Sequence, residues 1–139
     1  MTARIRVTAV ALALATFGFG CGSSGETAST DAEHGATPQQ AVAEIGNVRS
    51  GLAHALATYK AGDASAADQQ VGDTYLQHFE LVEGPLDKAD HELKEQLEDT
   101  IRETLRDRIR AHAQAAKVSA LVRAIDAKLD KAERTLSQS

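Results

Sequence analysis

The chain has 139 residues, 15 basic and 20 acidic, for a formal net charge of −5 at neutral pH. That balance excludes the basic surface that nucleic-acid binding demands. The absence of tryptophan, with only two tyrosines and three phenylalanines, argues against a β-sandwich.

Residues 1–20 read as a bacterial lipoprotein signal peptide. Arg4 and Arg6 supply a positive start, and an apolar run follows from Ile5 to Phe19. Small residues then lead to Cys21, the only cysteine. No internal disulfide is available to it, so an exported chain needs another use for this thiol. The string Gly-Phe-Gly-Cys21 resembles a lipobox, although Gly18 stands where leucine is usual and Phe19 is bulky. The resemblance implies diacylglycerol on Cys21. At ~0.8 kcal/mol per buried methylene, two acyl chains hold a domain durably at a membrane surface. Loss of residues 1–20 leaves 13 basic against 20 acidic residues, a net charge of −7.

Residues 21–36 are rich in Gly, Ser, Thr and Ala and read as a flexible tether. Asp31, Glu33 and His34 lie within it, a weak metal-ligand pattern in such a setting.

From 37 to 139 the sequence predicts a helical bundle domain. Thr37-Pro38-Gln-Gln40 is a capping box with proline at the first helical position. Val42, Ile45, Val48, Leu52, Leu56 and Tyr59 then form one apolar stripe. Gly46 and Gly51 weaken this helix, and close helix approach is the use expected of them. Ala61-Gly62-Asp63 predicts a tight reversal. A second helix spans about 64–82, with Val71, Tyr75, Phe79 and Val82 facing the core and Gly84-Pro85 stopping it.

A third helix begins after Leu86 with Asp87 or Asp90 as its cap. Leu93, Leu97, Ile101, Leu105 and Ile109 recur at intervals of four. A fourth carries Val118, Val122, Ile125, Leu129, Ala132 and Leu136 in a heptad-like seam. Residues 111–117 contain neither Gly nor Pro, so one continuous helix is an alternative. A break near Ala113 is favoured, because a 50-residue helix is implausible in a domain this small. The expected fold is all-α, an up-and-down four-helix bundle.

Charge is segregated along the chain. Residues 63–99 hold eleven acids against Lys88 and Lys94, and residues 100–139 hold nine bases against five acids. No nucleophile elbow, phosphate loop or HExxH signature is present, so the expectation is a non-enzyme. The suggestive segment is Tyr75-Leu-Gln-His78-Phe-Glu80-Leu-Val-Glu83. Imidazole, carboxylate and phenol are donors that iron(III) or copper(II) selects. His78 with a carboxylate from a facing helix, or with His54 of the first helix, offers a bundle-side metal site. Glu80 and Glu83 complete the candidate set.

Two strings carry a family resemblance. Ala57-Thr-Tyr59-Lys-Ala-Gly62-Asp63, Ala66-Ala67 and Tyr75-x-x-His78-Phe79-Glu80-x-x-Glu83-x-Pro85-Leu86 form the first. Lys117 to Asp126, then Leu129-Asp-Lys-Ala-Glu133, form the second. Both resemble the extracytoplasmic helical domain that precedes the membrane helices of bacterial high-affinity iron permeases, over roughly residues 40–136. The sequence ends at Ser139 without permease helices or their Arg-Glu-x-x-Glu motifs. The resemblance therefore implies a free-standing, membrane-tethered version of that outer domain, with a membrane iron permease as partner. The expected function is an extracytoplasmic, lipid-anchored helical binding module linked to iron or other metal uptake. The competing expectation is a structural or protein-interaction lipoprotein of the cell envelope with no metal role, docking through the acidic 63–99 surface.

Overall fold

A computed structural model describes residues 35–139. The signal peptide, Cys21, and the Asp31, Glu33 and His34 pattern lie outside the described residues. Those described are all-helical, without a strand, in four helical stretches. The first is α1 (Pro38–Lys60). The second runs α2 (Ala64–Thr74), a π turn (Tyr75–Phe79) and α3 (Glu80–Ala89). The third runs α4 (His91–Asp99), a second π turn (Thr100–Leu105) and α5 (Arg106–Arg110). The fourth is α6 (Ala115–Leu136). No helix among the described residues is long and apolar enough to cross a membrane.

Local chemistry accounts for the boundaries. Thr37 Oγ1 accepts from Gln40 N–H at 3.2 Å while Gln40 Oε1 accepts from Thr37 N–H at 2.8 Å, so the reciprocal box opens α1. Gly62 turns the chain at φ +99°, and Asp63 caps α2 by accepting from Ala66 N–H at 2.9 Å. Asp90 ends α3 and opens α4, leaving the helical region at φ −157° and accepting from Leu93 N–H at 3.0 Å.

One boundary differs from expectation, and another is made by an unexpected residue. The second stretch does not stop at Gly84-Pro85; α3 carries Pro85 inside it and ends at Ala89. A proline there forgoes one backbone hydrogen bond. Both Pro85 and Leu86 are buried, and that packing offsets the loss. The break between α5 and α6 falls where expected, and His112 makes it without glycine. His112 adopts φ +49°, Ala113 N–H donates to the Arg108 carbonyl at 3.0 Å, and His112 N–H donates to that of Ile109. This is a left-handed helix terminus of the kind glycine ordinarily supplies. A left-handed residue with a Cβ costs roughly 1–2 kcal/mol, partly recovered from glycine's larger unfolded-state entropy. His112→Gly is therefore expected to raise stability by about 0.5–1 kcal/mol, read as a higher thermal midpoint.

One core gathers all four stretches. Ala41, Ile45, Val48, Leu52, Ala55 and Tyr59 of α1 pack against Val71, Tyr75, Phe79, Val82 and Leu86. The third stretch contributes Leu93 through Ile109 at every fourth position, and α6 contributes Val118, Ile125, Leu129, Ala132 and Leu136. Val42 and Leu56, expected in the α1 stripe, are half-buried at its margin, with Ala41 and Ala55 taking the centre. The small alanines let neighbouring helices come close. Gly51 does the same, because Thr74 sits against it. Gly46 faces open space, so close approach is not its role.

Polar ties lock the stretches in register. Arg49 of α1 reaches Asp126 at 3.0 Å, Glu133 at 2.8 Å and also Asp130, three carboxylates along one face of α6. Tyr59 OH donates to the Ala113 carbonyl at the α5–α6 turn. Arg106 grips Asp68 of α2 through Nε at 2.8 Å and Nη2 at 3.1 Å, and Arg110 adds a contact at 3.2 Å. The Arg106 hydrogen bond is the main reason the Asp68 carboxyl is held below its usual range; burial opposes it. A lowered carboxylate adds stability that is present above its unfolded value, near 3.8, and is lost as pH falls through the folded value. Asp68→Asn is expected to cost about 1–2 kcal/mol at pH 7. Urea titrations of the two proteins should converge as pH drops below about 3.8.

Candidate functional site

The four residues singled out as ligands fall in two places. His54 and His78 line one polar groove of about 380 Å³ between α1 and the second stretch. Asn47 and Ser50 of α1 and Gln70 and Asp73 of α2 share its walls, and Gly51 gives a floor without a side chain. Glu80 lies elsewhere, beside a hollow of about 170 Å³ with Leu76, Arg102 and Arg106. Glu83 is turned toward Tyr75. Among the described residues, no three His, Cys, Asp or Glu side chains form a group able to hold a metal ion.

Within the groove His78 is oriented from behind. Its Nδ1 lies 2.8 Å from Glu44 Oε2, and the same oxygen accepts from Asn47 Nδ2 at 3.0 Å. The Asn47 hydrogen bond, followed by that from His78, holds the Glu44 carboxyl below its ordinary range. An ionised carboxylate only accepts, so Nδ1 carries the proton, and in the neutral ring Nε2 keeps the lone pair. The π turn helps bring His78 to this side. In a regular helix residues five apart, such as Asp73 and His78, diverge by about 140°. Across the π turn, where Glu80 N–H donates to the Tyr75 carbonyl, they come toward a common face.

The groove's hydroxyls are committed to backbone. Thr74 Oγ1 donates to the Gln70 carbonyl at 2.7 Å, and Ser50 Oγ donates to that of Gly46 at 3.0 Å. Gln70 Oε1 is buried without a hydrogen-bond partner.

Tyr75 and Glu83 make a second polar centre. Tyr75 is buried, and its hydroxyl donates to Glu83 Oε1 at 2.5 Å. Burial is the leading cause that pushes both groups upward: the phenol is held well above its ordinary value and the Glu83 carboxyl is raised, with the Tyr75 hydrogen bond pulling the latter back. Arg102 sits 5.8 Å from the Tyr75 ring centroid and also binds Glu98 at 3.1 Å. Lys94 meets Glu98 at 3.3 Å. Every member of this centre has a partner inside the domain, so its chemistry is that of an internal brace.

Asp73 and Gln70 were missed as groove residues, and Glu44 as the partner of His78. Glu44 had a usable signal. It stands seventeen residues before Ala61, and His78 stands seventeen after, so a hairpin turning there places them opposite each other. Asp73 needed the π turn. No family model, curated protein or solved structure matches this chain.

Proposed function

We propose that this chain is an extracytoplasmic, membrane-anchored lipoprotein whose helical domain, arranged as an up-and-down four-helix bundle, is a non-catalytic binding module linked to metal uptake. The leader-like residues 1–20 followed by Cys21 support the address. The observation that carries the binding reading is the polar α1–α2 groove, lined by His54 and by a His78 that the Glu44 carboxylate orients. The groove hydroxyls serve backbone carbonyls, so neither is activated by a base; this favours holding over conversion. The resemblance to permease outer domains supports a transporter in the same membrane as partner.

A specific observation also favours the competing envelope-interaction reading. Leu76 is 60 % exposed and Leu81 45 %, both on the second stretch within the acidic region. Crosslinking in cells separates the two. With photoreactive residues at Leu76 and at Asn47, the metal-uptake reading expects capture of a membrane transporter that changes when iron or copper is withheld. Capture of an envelope protein through Leu76 alone, indifferent to metal, contradicts it and selects the alternative.

A further inference from the structure

We infer that Leu76, Leu81 and the hollow beside them dock a basic amphipathic helix of a partner protein. These two leucines are the large apolar side chains left exposed among the described residues. In a regular helix residues five apart diverge by about 140°. Leu76 and Leu81 span the end of the first π turn, where Glu80 N–H donates to the Tyr75 carbonyl, and the wider turn draws them toward one side. Leu76 also borders the hollow of about 170 Å³, whose far wall is Arg102 of the second π turn and Arg106 of α5. An exposed apolar pair beside a pit between two helical stretches is a form into which a helix lays its apolar face.

Charge sets the sign of the occupant. Asp73 and Glu80 flank Leu76, three residues before it and four after, and both are exposed. Neither carboxylate is paired among the described residues. Across the hollow, Arg106 is held by Asp68 and Arg102 by Glu98, so the unspent charge is negative. Seven residues of helix set Asp73 and Glu80 about 10 Å apart, a distance that basic residues two turns apart on a docked helix match. Residues 22–34 of this chain do not fit, because they hold Glu26, Asp31 and Glu33 and no large apolar residue. A second copy packing through the same face would set these carboxylates against their equals. Such a face serves a transporter-docking module and an envelope-interaction module alike, with or without metal.

The test pans the full chain, held in nanodiscs of zwitterionic lipid, against displayed random peptides of about 16 residues, some four helical turns. The L76D/L81D chain in identical discs first removes peptides that bind elsewhere. Retained peptides are expected to carry Leu, Ile or Phe at spacings of three and four, with Lys or Arg beside them. By fluorescence anisotropy, L76D and L81D should each weaken such a peptide about 10-fold or more. E80K should weaken it more than E80Q does, and binding should fall as salt rises. Circular dichroism should stay unchanged, because both leucines are exposed. Acidic peptides, peptides without apolar spacing, nothing retained, or wild-type affinity in E80K overturns the inference. Sedimentation in detergent supplies the last arm. A dimer that L76D/L81D abolishes would give this face to a second copy and equally overturn it.

Discussion

Gly51→Ala is expected to destabilise the domain by about 3 kcal/mol, while Gly46→Ala, on the same helix, is expected to stabilise it by about 1 kcal/mol. A Cβ at position 51 would lie 2.2 Å from Thr74 Oγ1, 2.7 Å from its Cγ2 and 3.0 Å from its Cβ. Thr74 has little room to yield. It is buried, and its hydroxyl donates to the Gln70 carbonyl at 2.7 Å, so turning the side chain breaks that bond. The alternative is to push α1 and α2 apart, which opens a core packed at near-crystalline density. At position 46 a Cβ meets nothing within 4 Å, and only the helix-propensity gain of alanine over glycine remains. Urea unfolding of the two variants should move the midpoint in opposite directions. The double variant Gly51→Ala/Thr74→Ala should recover most of the loss, since only the 3.0 Å contact survives. Equal shifts for the two glycines would remove the close α1–α2 contact from the account.

Phe79→Ala should cost more, about 3–5 kcal/mol, a large share of the stability of any domain this size. Phe79 is fully buried, and its ring lies 5.7 Å from that of Tyr75 at a 36° tilt, the two aromatics of the first π turn. Truncation leaves a void and removes the aromatic contact, worth about 0.5–1.5 kcal/mol beyond its area. Phe79→Leu, closer in volume, should cost under about 1.5 kcal/mol. The readout is the denaturation midpoint at unchanged slope, followed by far-ultraviolet circular dichroism. A loss below 1 kcal/mol for Phe79→Ala would place this ring outside the load the core carries.

Four helical stretches, the caps at Thr37 and Asp63, Asp90 as one of two candidates for the third cap, and nearly every core residue were legible from periodicity and capping chemistry. Two features were not, for reasons that can be named. Pro85 reads locally as a stop, and only the burial of Pro85 and Leu86 beside Val82 overrides it. The π turns were present in the spacing. Leu93, Leu97, Ile101, Leu105 and Ile109 recur strictly by fours, and a regular helix drifts 40° at each such step. Those four steps sum to a drift of about 160°, enough to turn Ile109 away from a face shared with Leu93. All five are nevertheless buried, and the turn at Thr100–Leu105, with more than four residues per turn, absorbs the drift. Ala67, Val71, Tyr75 and Phe79 repeat the pattern around the first π turn. In both stretches an unbroken series of fours thus accompanies a π turn, a feature that apolar periodicity alone does not separate from an ordinary amphipathic helix.

The site was legible in part. His54 and His78 line one groove, and the carboxylate that meets His78 from the facing helix is Glu44, as a hydrogen-bond partner whose identity needed the hairpin register. Glu80 and Glu83 lie only two and five residues from His78, yet they leave by different faces of the helix. Glu83 is claimed by Tyr75, and Glu80 faces the arginines of the third stretch. Nearness in sequence did not translate into convergence.

The central claim is that a compact helical module is displayed outside the cell on a lipid. Intact-mass analysis of the chain recovered from the membrane fraction tests it most directly. The expected product begins at Cys21 and is heavier than its residues by a diacylglycerol. A product still beginning at Met1 with a free Cys21 thiol, recovered from the cytosol, would contradict it.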